Sequence, residues 1–332
     1  MAIVAHYDPR GGAAPHLLRQ LEQIGDHYDD VVLASPVVLD DEAATAISER
    51  ATLVRRPNYG HDFGSWRDVL ERFDWAQDYD QLLLTNDSYV GFFRPLDEVI
   101  DSMSKRPVEM WGMTRTARVS PHVQSYFMHF TAPALHSQAF RRFWMDISPA
   151  SDRMGAILGQ EVGISRAILS AGYRIGSYFE PTRSERLRAG RRGAHWLHKR
   201  QQQYHTRFGG PHDEYFSARK LRDPNEADRL NWSSVFADST LDRGRLPVIK
   251  LDVLRHDPYW LGAAALLQSL EARYPLQMQG VRDYLEETTP LYAKRQFENH
   301  GSTRLNVVEK ALFGYRAHTL SSKGRARNGI DS

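Results

Sequence analysis

Apolar residues along this chain fall in short runs separated by segments with helical spacing. Residues 2–6 (AIVAH), 30–33 (DVVL), 51–55 (ATLVR) and 79–84 are runs of the kind that strands covered on both faces require. Between the first two, Leu17, Leu18, Leu21 and Ile24 recur at three and four residues and predict an amphipathic helix over 15–24. Residues 41–50 and 66–73 predict two more. Short buried strands alternating with helices predict an α/β fold, a mostly parallel sheet with helices on both sides. After Pro95 the alternation loosens. Residues 96–103 read as a helix, 109–114 and 124–130 as strands, 137–147 and 160–171 as amphipathic helices, and 173–179 as a late strand. Residues 182–207 are rich in basic side chains and poor in apolar periodicity. Residues 246–254 read as extended, 260–274 and 281–287 as helical, and from about Gly301 periodicity is lost, with a basic, disordered tail at the end.

Composition narrows the classes. A chain of 332 residues suits one large α/β domain with elaborations or two small ones. With 41% apolar and 25% charged residues it can bury a substantial core, and a net charge of +2 gives no footprint for nucleic acid. Cys is absent, which excludes disulfides and thiolate metal sites and favours a reducing compartment. MAIVAHYDPRGG lacks the basic and long apolar segments of a signal peptide, and no run reaches the roughly 18 apolar residues of a spanning helix. The expectation is a cytoplasmic protein, or one peripheral on the inner face of the cell membrane. The sequons at Asn86 and Asn231 are then coincidental.

Candidate chemistry begins at LLLTNDSYVGFF, where a buried run breaks at Asn86-Asp87-Ser88. Ligands of parallel α/β sheets gather at the carboxyl ends of strands. Asn, Asp and Ser also favour turns, so an Asx-type turn and a site in which Asp87 holds a divalent cation on a diphosphate both fit. The loop RPNYGHDFGS offers glycines for close approach to a ligand at Gly60 and Gly64, Asp62 as an acceptor, and Tyr59 or Phe63 to flank a base. Simple capping by Ser65 or Asp62 is the alternative. Trp111, His122, Gln124 and Ser125 border an aromatic strand and suit hydrogen bonding to a sugar. Glu161 opens a helix, where the dipole favours a carboxylate and a general base is equally well placed. Lys250 suits a developing anion, or is a surface lysine. The basic stretch 183–207, with Trp196 in it, is a solvated surface, a mobile loop over a diphosphate, or a contact with anionic lipid.

Six segments, NYGHDFGSWRDVL, YDQLLLTNDSYVGFFRPLDEV, MWGMTRT, HVQSYFMHF, FRRFW and QEVGISRAILSAGY, in that order, resemble the rhamnan synthesis protein F family of bacterial polysaccharide glycosyltransferases, discussed as rhamnosyltransferases. The resemblance spans roughly residues 1–260. It implies a GT-A type fold with a nucleotide-diphospho-sugar donor, dTDP-rhamnose by the family's name, and a glycan or lipid-linked acceptor. With such a donor and acceptor, the candidates for donor binding are His6, Tyr7, Asp8, Asn58, Gly60, Asp62, Asn86, Asp87, Ser88 and Lys250, and those for acceptor binding His122, Gln124, Ser125 and Trp111. Glu161 takes the position of the inverting base. Asn86 stands where an Asp-x-Asp motif would have its first acid, leaving Asp87, with His256 as a further ligand, to hold Mg²⁺ or Mn²⁺. The implied organisation is a catalytic domain over 1–250, a helical extension over 251–300 and a basic tail over 301–332. A glycan-binding module that keeps the fold without transfer is the alternative.

Overall fold

The computed structural model describes residues 1–72, 79–150, 155–208, 224–292 and 305–316. Eleven strands are present among them: β1 (Ala2–Ala5), β2 (Val31–Ser35), β3 (Thr52–Arg55), β4 (Gln81–Asn86), β5 (Tyr89–Gly91), β6 (Met110–Gly112), β7 (Arg115–Thr116), β8 (His122–Val123), β9 (Phe127–Thr131), β10 (Ile175–Ser177) and β11 (Val248–Lys250). Seven form one sheet in the order β10-β6-β9-β4-β1-β2-β3, in which β9 alone runs antiparallel to its neighbours. The mostly parallel α/β sheet expected from the apolar pattern is borne out.

Alternation along the strands builds two cores. Ala2 and Val4 of β1 face one side with Val31, Leu33 and Leu83, under helices α1 (Pro15–Gly25) and α2 (Asp41–Ser48). Ile3 and Ala5 face the other with Val32, Ala34, Leu82 and Leu84, under α3 (His61–Leu70) and the helices Gln138–Asp146 and Val162–Ser170. Asp40 caps α2 by accepting from the Ala43 amide at 2.7 Å. The C-terminal helices Ala263–Arg273, Pro275–Met278 and Val281–Thr288 join the first core through Leu266, Leu270, Met278, Val281 and Tyr284. They cover the sheet on the same face as α1.

Four elements differ from the apolar pattern. Helix α3 starts at His61, five residues before the expected start at Trp66, because Gly60 at φ 70° turns the chain into it. Residues 183–208, expected as a surface stretch or mobile loop, form one continuous helix, Arg183–Phe208. Its buried side carries Glu185, Ala189, Arg192, His195 and Leu197, so polar residues occupy positions an apolar pattern would need. Arg192 is neutralised by Asp238, Nη2 to Oδ2 2.7 Å, both 1% exposed. Trp196 lies half-buried against Tyr259, ring centroids 5.4 Å apart. The extended segment expected at 246–254 stops at Lys250, and Leu251–His256 is helical. Within the expected tail, Leu305 and Tyr315 are buried and Val307–Leu312 is a helix with an Asn306/Glu309 capping box. The last sixteen residues lie outside the described ones.

Candidate active site

The chain winds outward from β1 to β2 and β3, then returns to place β4 on the other side of β1. Such a switch point opens a crevice beyond the strands' carboxyl ends. Register sets what faces it: Ala5 pairs with Asn86, so His6-Tyr7-Asp8 and Asp87-Ser88 emerge together. The Tyr7 amide donates to Asp87 Oδ2 at 2.8 Å, and the Asp87 amide to the Ala5 carbonyl at 3.2 Å. From α1, His16 Nε2 reaches the Asp87 carbonyl at 3.3 Å. Burial drives the Asp87 carboxyl up to about 8, against the Tyr7 amide and with help from the charges of Asp62 and Asp8. His6 is buried beside it, Nε2 3.9 Å from Asp87 Oδ2 and Nδ1 3.0 Å from Ser35 Oγ. Burial lowers His6 to about 4, so at neutral pH it is uncharged and leaves Asp87 without a cationic partner there. Asp8 is different: Arg10 binds both its oxygens, at 3.1 and 2.7 Å, and holds it below the ordinary carboxylate range although burial opposes this.

At Asn86 the turn is realised. Its Oδ1 accepts from the Ser88 amide at 3.1 Å and the Ser88 hydroxyl at 2.7 Å, and its Nδ2 donates to Asp62 Oδ2 at 2.7 Å. Both ends of the carboxamide are thus used to fix Ser88 and Asp62. Asp62, in the first turn of α3, is raised by burial, lowered by Asn86 and Lys250, and raised again by Glu161. Lys250, half-buried at the end of β11, sets its Nζ 4.9 Å over the Tyr126 ring.

Most of the loop before α3 supports itself. Arg56 Nε donates to Asp68 Oδ2 at 2.6 Å and its Nη2 to the Tyr59 carbonyl at 2.7 Å, while the Tyr59 hydroxyl donates to Asp68 Oδ1 at 2.5 Å. A Cβ on Gly64 would stand 2.4 Å from the Tyr59 carbonyl oxygen, so this glycine admits backbone of its own loop, where a ligand was expected. Phe63 is not available to flank a base: it is buried and stacked on Trp144 at 5.8 Å. Neither Ser65 nor Asp62 caps the helix, which begins at Gly60 without a side-chain cap. Asn58 and Tyr7 are exposed.

On the far side of Asp62, strand β8 brings His122 to Glu161, which ends the π-helix Ala156–Glu161 and runs straight into helix Val162–Ser170, so it lies within helical chain instead of opening a helix as expected. His122 Nδ1 lies 2.7 Å from the Ser120 carbonyl and must donate to it, while Nε2 lies 3.1 Å from Glu161 Oε1. With Nδ1–H committed to a carbonyl, a second proton on Nε2 satisfies the carboxylate. Burial alone would lower His122, but Glu161 outweighs it and raises the imidazole above its ordinary value. Burial would likewise raise Glu161, yet His122 and the Ser125 amide, 2.7 Å from Oε2, bring it below the usual range. Both shifts, and the acceptors at both His122 nitrogens, favour the imidazolium–carboxylate form of the pair. Of the other acceptor candidates, Trp111 is 2% exposed and stacked on His129 at 4.7 Å, inside the core. Gln124 is also internal, accepting from Thr114 at 2.7 Å and donating to Asn231 at 3.1 Å. Neither side chain faces solvent.

The C-terminal extension supplies residues that local patterns did not single out. Tyr292 donates to the Tyr7 carbonyl at 3.4 Å, Arg10 lies 4.9 Å over the Tyr284 ring and also pairs with Glu287, and Arg255 lies 4.3 Å over Tyr292. Their signal was only that aromatic and basic residues recur at 255, 284 and 292. Among the described residues, no group of three or more His, Asp or Glu side chains is arranged to hold a metal ion. His256 Nε2 is 4.0 Å from Asp252 Oδ1. No helix among the described residues is long and apolar enough to cross a membrane.

Fold and site together define an α/β protein with a group of buried carboxylates at the switch point of its sheet. Residues 31–193 match the family of rhamnan synthesis protein F, so the resemblance carried by the motifs is borne out over that span. Asp62, Asp87, His122 and Glu161 lie inside it; His6, Lys250 and His256 lie outside. The chain is 27% identical over 187 residues to the uncharacterized protein y4gN of Sinorhizobium fredii, covering 54% of this chain and 49% of that protein, about half its length. Among solved structures, 4-diphosphocytidyl-2C-methyl-D-erythritol synthase from Anaerococcus prevotii aligns with a TM-score of 0.34 at 8% identity, over 53% of this chain and 86% of that one.

Proposed function

We propose that this chain is a GT-A type glycosyltransferase that moves a sugar from a nucleotide-diphospho-sugar, dTDP-rhamnose foremost, to a bacterial surface polysaccharide or lipid-linked glycan, with inversion. The observation that carries the proposal is Asp87 at the end of β4, next to Asn86 whose amide donates to the buried Asp62, with the charges of Lys250 and Glu161 also felt at Asp62. The family match supports the polysaccharide context, and the choice of rhamnose rests on the family's name.

In this reading the acceptor hydroxyl attacks the anomeric carbon, the sugar–phosphate electron pair leaves on the diphosphate, and Glu161 takes the hydroxyl proton. Lys250 offsets charge on the leaving group. Asp87 fits a divalent cation: it is a hard oxygen donor whose ionisation is penalised for lack of a counter-charge. Sites for Mg²⁺ commonly use one or two carboxylates plus substrate phosphates. A cation there would supply neutralisation of the diphosphate. A binding-only module is favoured by a different observation, the full use of both Glu161 oxygens and both ends of the Asn86 amide.

Thermal-shift titrations with dTDP, UDP and GDP, with and without Mn²⁺, separate the two. A metal-enhanced shift with one nucleotide is expected, and Asp87→Asn should lose the metal increment. No shift with any nucleotide sinks the transferase. Glu161→Gln should keep the donor-induced shift and abolish transfer, and near-normal transfer would remove Glu161 from its role.

A further inference from the structure

Among the described residues, Arg255 has no counter-ion. It sits on the short helix after Lys250, 7% exposed, and among the described residues no carboxylate comes within ion-pairing distance of it. Its guanidinium donates to Thr288 Oγ1 at 3.0 Å and stacks on Tyr292, while Nε is buried with no acceptor. An unpaired buried guanidinium is costly, because arginine does not shed its proton and hydration is lost. The other buried arginines of the fold are matched: Arg192 by Asp238 and Arg56 by Asp68. Arg255 also lies beside the crevice. Tyr292, on which it stacks, donates to the Tyr7 carbonyl, and the Tyr7 amide holds Asp87. The charges of Asp87 and Arg255 both act on the Tyr292 hydroxyl, in opposite directions.

We propose that Arg255 is an anion-binding residue whose missing partner is a phosphate oxyanion, seated between the Tyr292 stack and the Asp87 end of β4. The planar fork of a guanidinium matches two phosphate oxygens, and stacking on Tyr292 pre-orients it, so little entropy is lost on binding. Resting on the transferase reading, the ligand is the donor's diphosphate, gripped by Arg255 from the C-terminal extension and by Lys250 from β11. The extension then completes the donor site in addition to covering the sheet.

Calorimetric titration with inorganic pyrophosphate, dTDP, UDP, GDP and thymidine tests it. Arg255→Gln should weaken pyrophosphate and the preferred nucleoside diphosphate roughly 10- to 100-fold, the value of hydrogen bonds to a charged group, and leave any thymidine affinity unchanged. Equal affinities of variant and wild type for the diphosphates would overturn the role of Arg255 and leave the transferase standing. Failure of the wild type to bind any nucleoside diphosphate would remove the transferase, with the pyrophosphate arm still deciding the anion site. Because Arg255 is buried, the wild type carries a second readout. In protein labelled with ¹⁵N-arginine, pyrophosphate should shift the Nε–H resonance that Arg255→Lys deletes, and an unmoved resonance overturns the site.

Discussion

Acceptors face both nitrogens of His122, which favours the doubly protonated ring. The Ser120 carbonyl takes one and Glu161 the other, and neither acceptor can donate in return at neutral pH. The stability consequence follows from the directions of the two shifts. His122 is raised, so its contribution is complete below its unfolded value of about 6.5 and is lost as pH rises through the folded one. Glu161 is lowered, so its share is complete above about 4.3 and is lost as pH falls through its folded value. His122→Gln should therefore cost roughly 1–3 kcal/mol between these limits, with the gap to wild type shrinking above them. Denaturant unfolding at pH 5.5, 7 and 8.5 measures it, and a gap independent of pH would show that the histidine is neutral. The residue types at 87, 122 and 161 were legible in the sequence; their protonation was not, because it depends on the Tyr7 and Ser125 amides and on the His122–Glu161 contact, which the fold brings together from different segments. Arg255 carries no sequence signal for the same reason: that no carboxylate among the described residues pairs with it is a property of the fold alone.

At the scale of elements, strand and helix periodicity was enough wherever one face is apolar. It failed at Arg183–Phe208, whose buried side is held by Arg192, Glu185 and His195, and at the start of α3, where a glycine in the left-handed region, rather than a capping side chain, turns the chain. Gly64 shows what the second failure concealed. Its missing Cβ lets the Tyr59 carbonyl approach the helix, and the Arg56–Tyr59–Asp68 network then fixes the loop that leads to Asp62. Gly64→Ala places a methyl 2.4 Å from that carbonyl oxygen, which is backbone and cannot swing aside. A loss of roughly 1–3 kcal/mol is expected by thermal or denaturant unfolding. An alanine variant as stable as wild type would mean that the loop relaxes and the network is dispensable.

In the whole molecule, ties between distant segments do what no local pattern announces. Arg192 bonds the Val235, Phe313 and Gly314 carbonyls as well as Asp238, joining the long helix to residues 232–241 and to 313–316. Asp238→Ala would leave that guanidinium buried without its counter-charge and should cost roughly 3–5 kcal/mol, whereas replacing both partners by Met and Leu should recover most of it. Denaturant unfolding of the single and double variants measures the difference, and equal losses would show that the charges themselves are unimportant. By itself the sequence determined the α/β class, the strands that lead toward His6 and Asp87, and the family resemblance, since these depend on periodicity and on contiguous motifs. Only the tertiary structure decided which polar residues face the crevice. Trp111, Gln124 and Phe63 went into the core, Asn86 into a turn, and Arg255 and Tyr292 came to the mouth from far along the chain. Burial and hydrogen-bond partnership are properties of neighbours, and neighbours are set by the sheet's register and the return of the C-terminal helices.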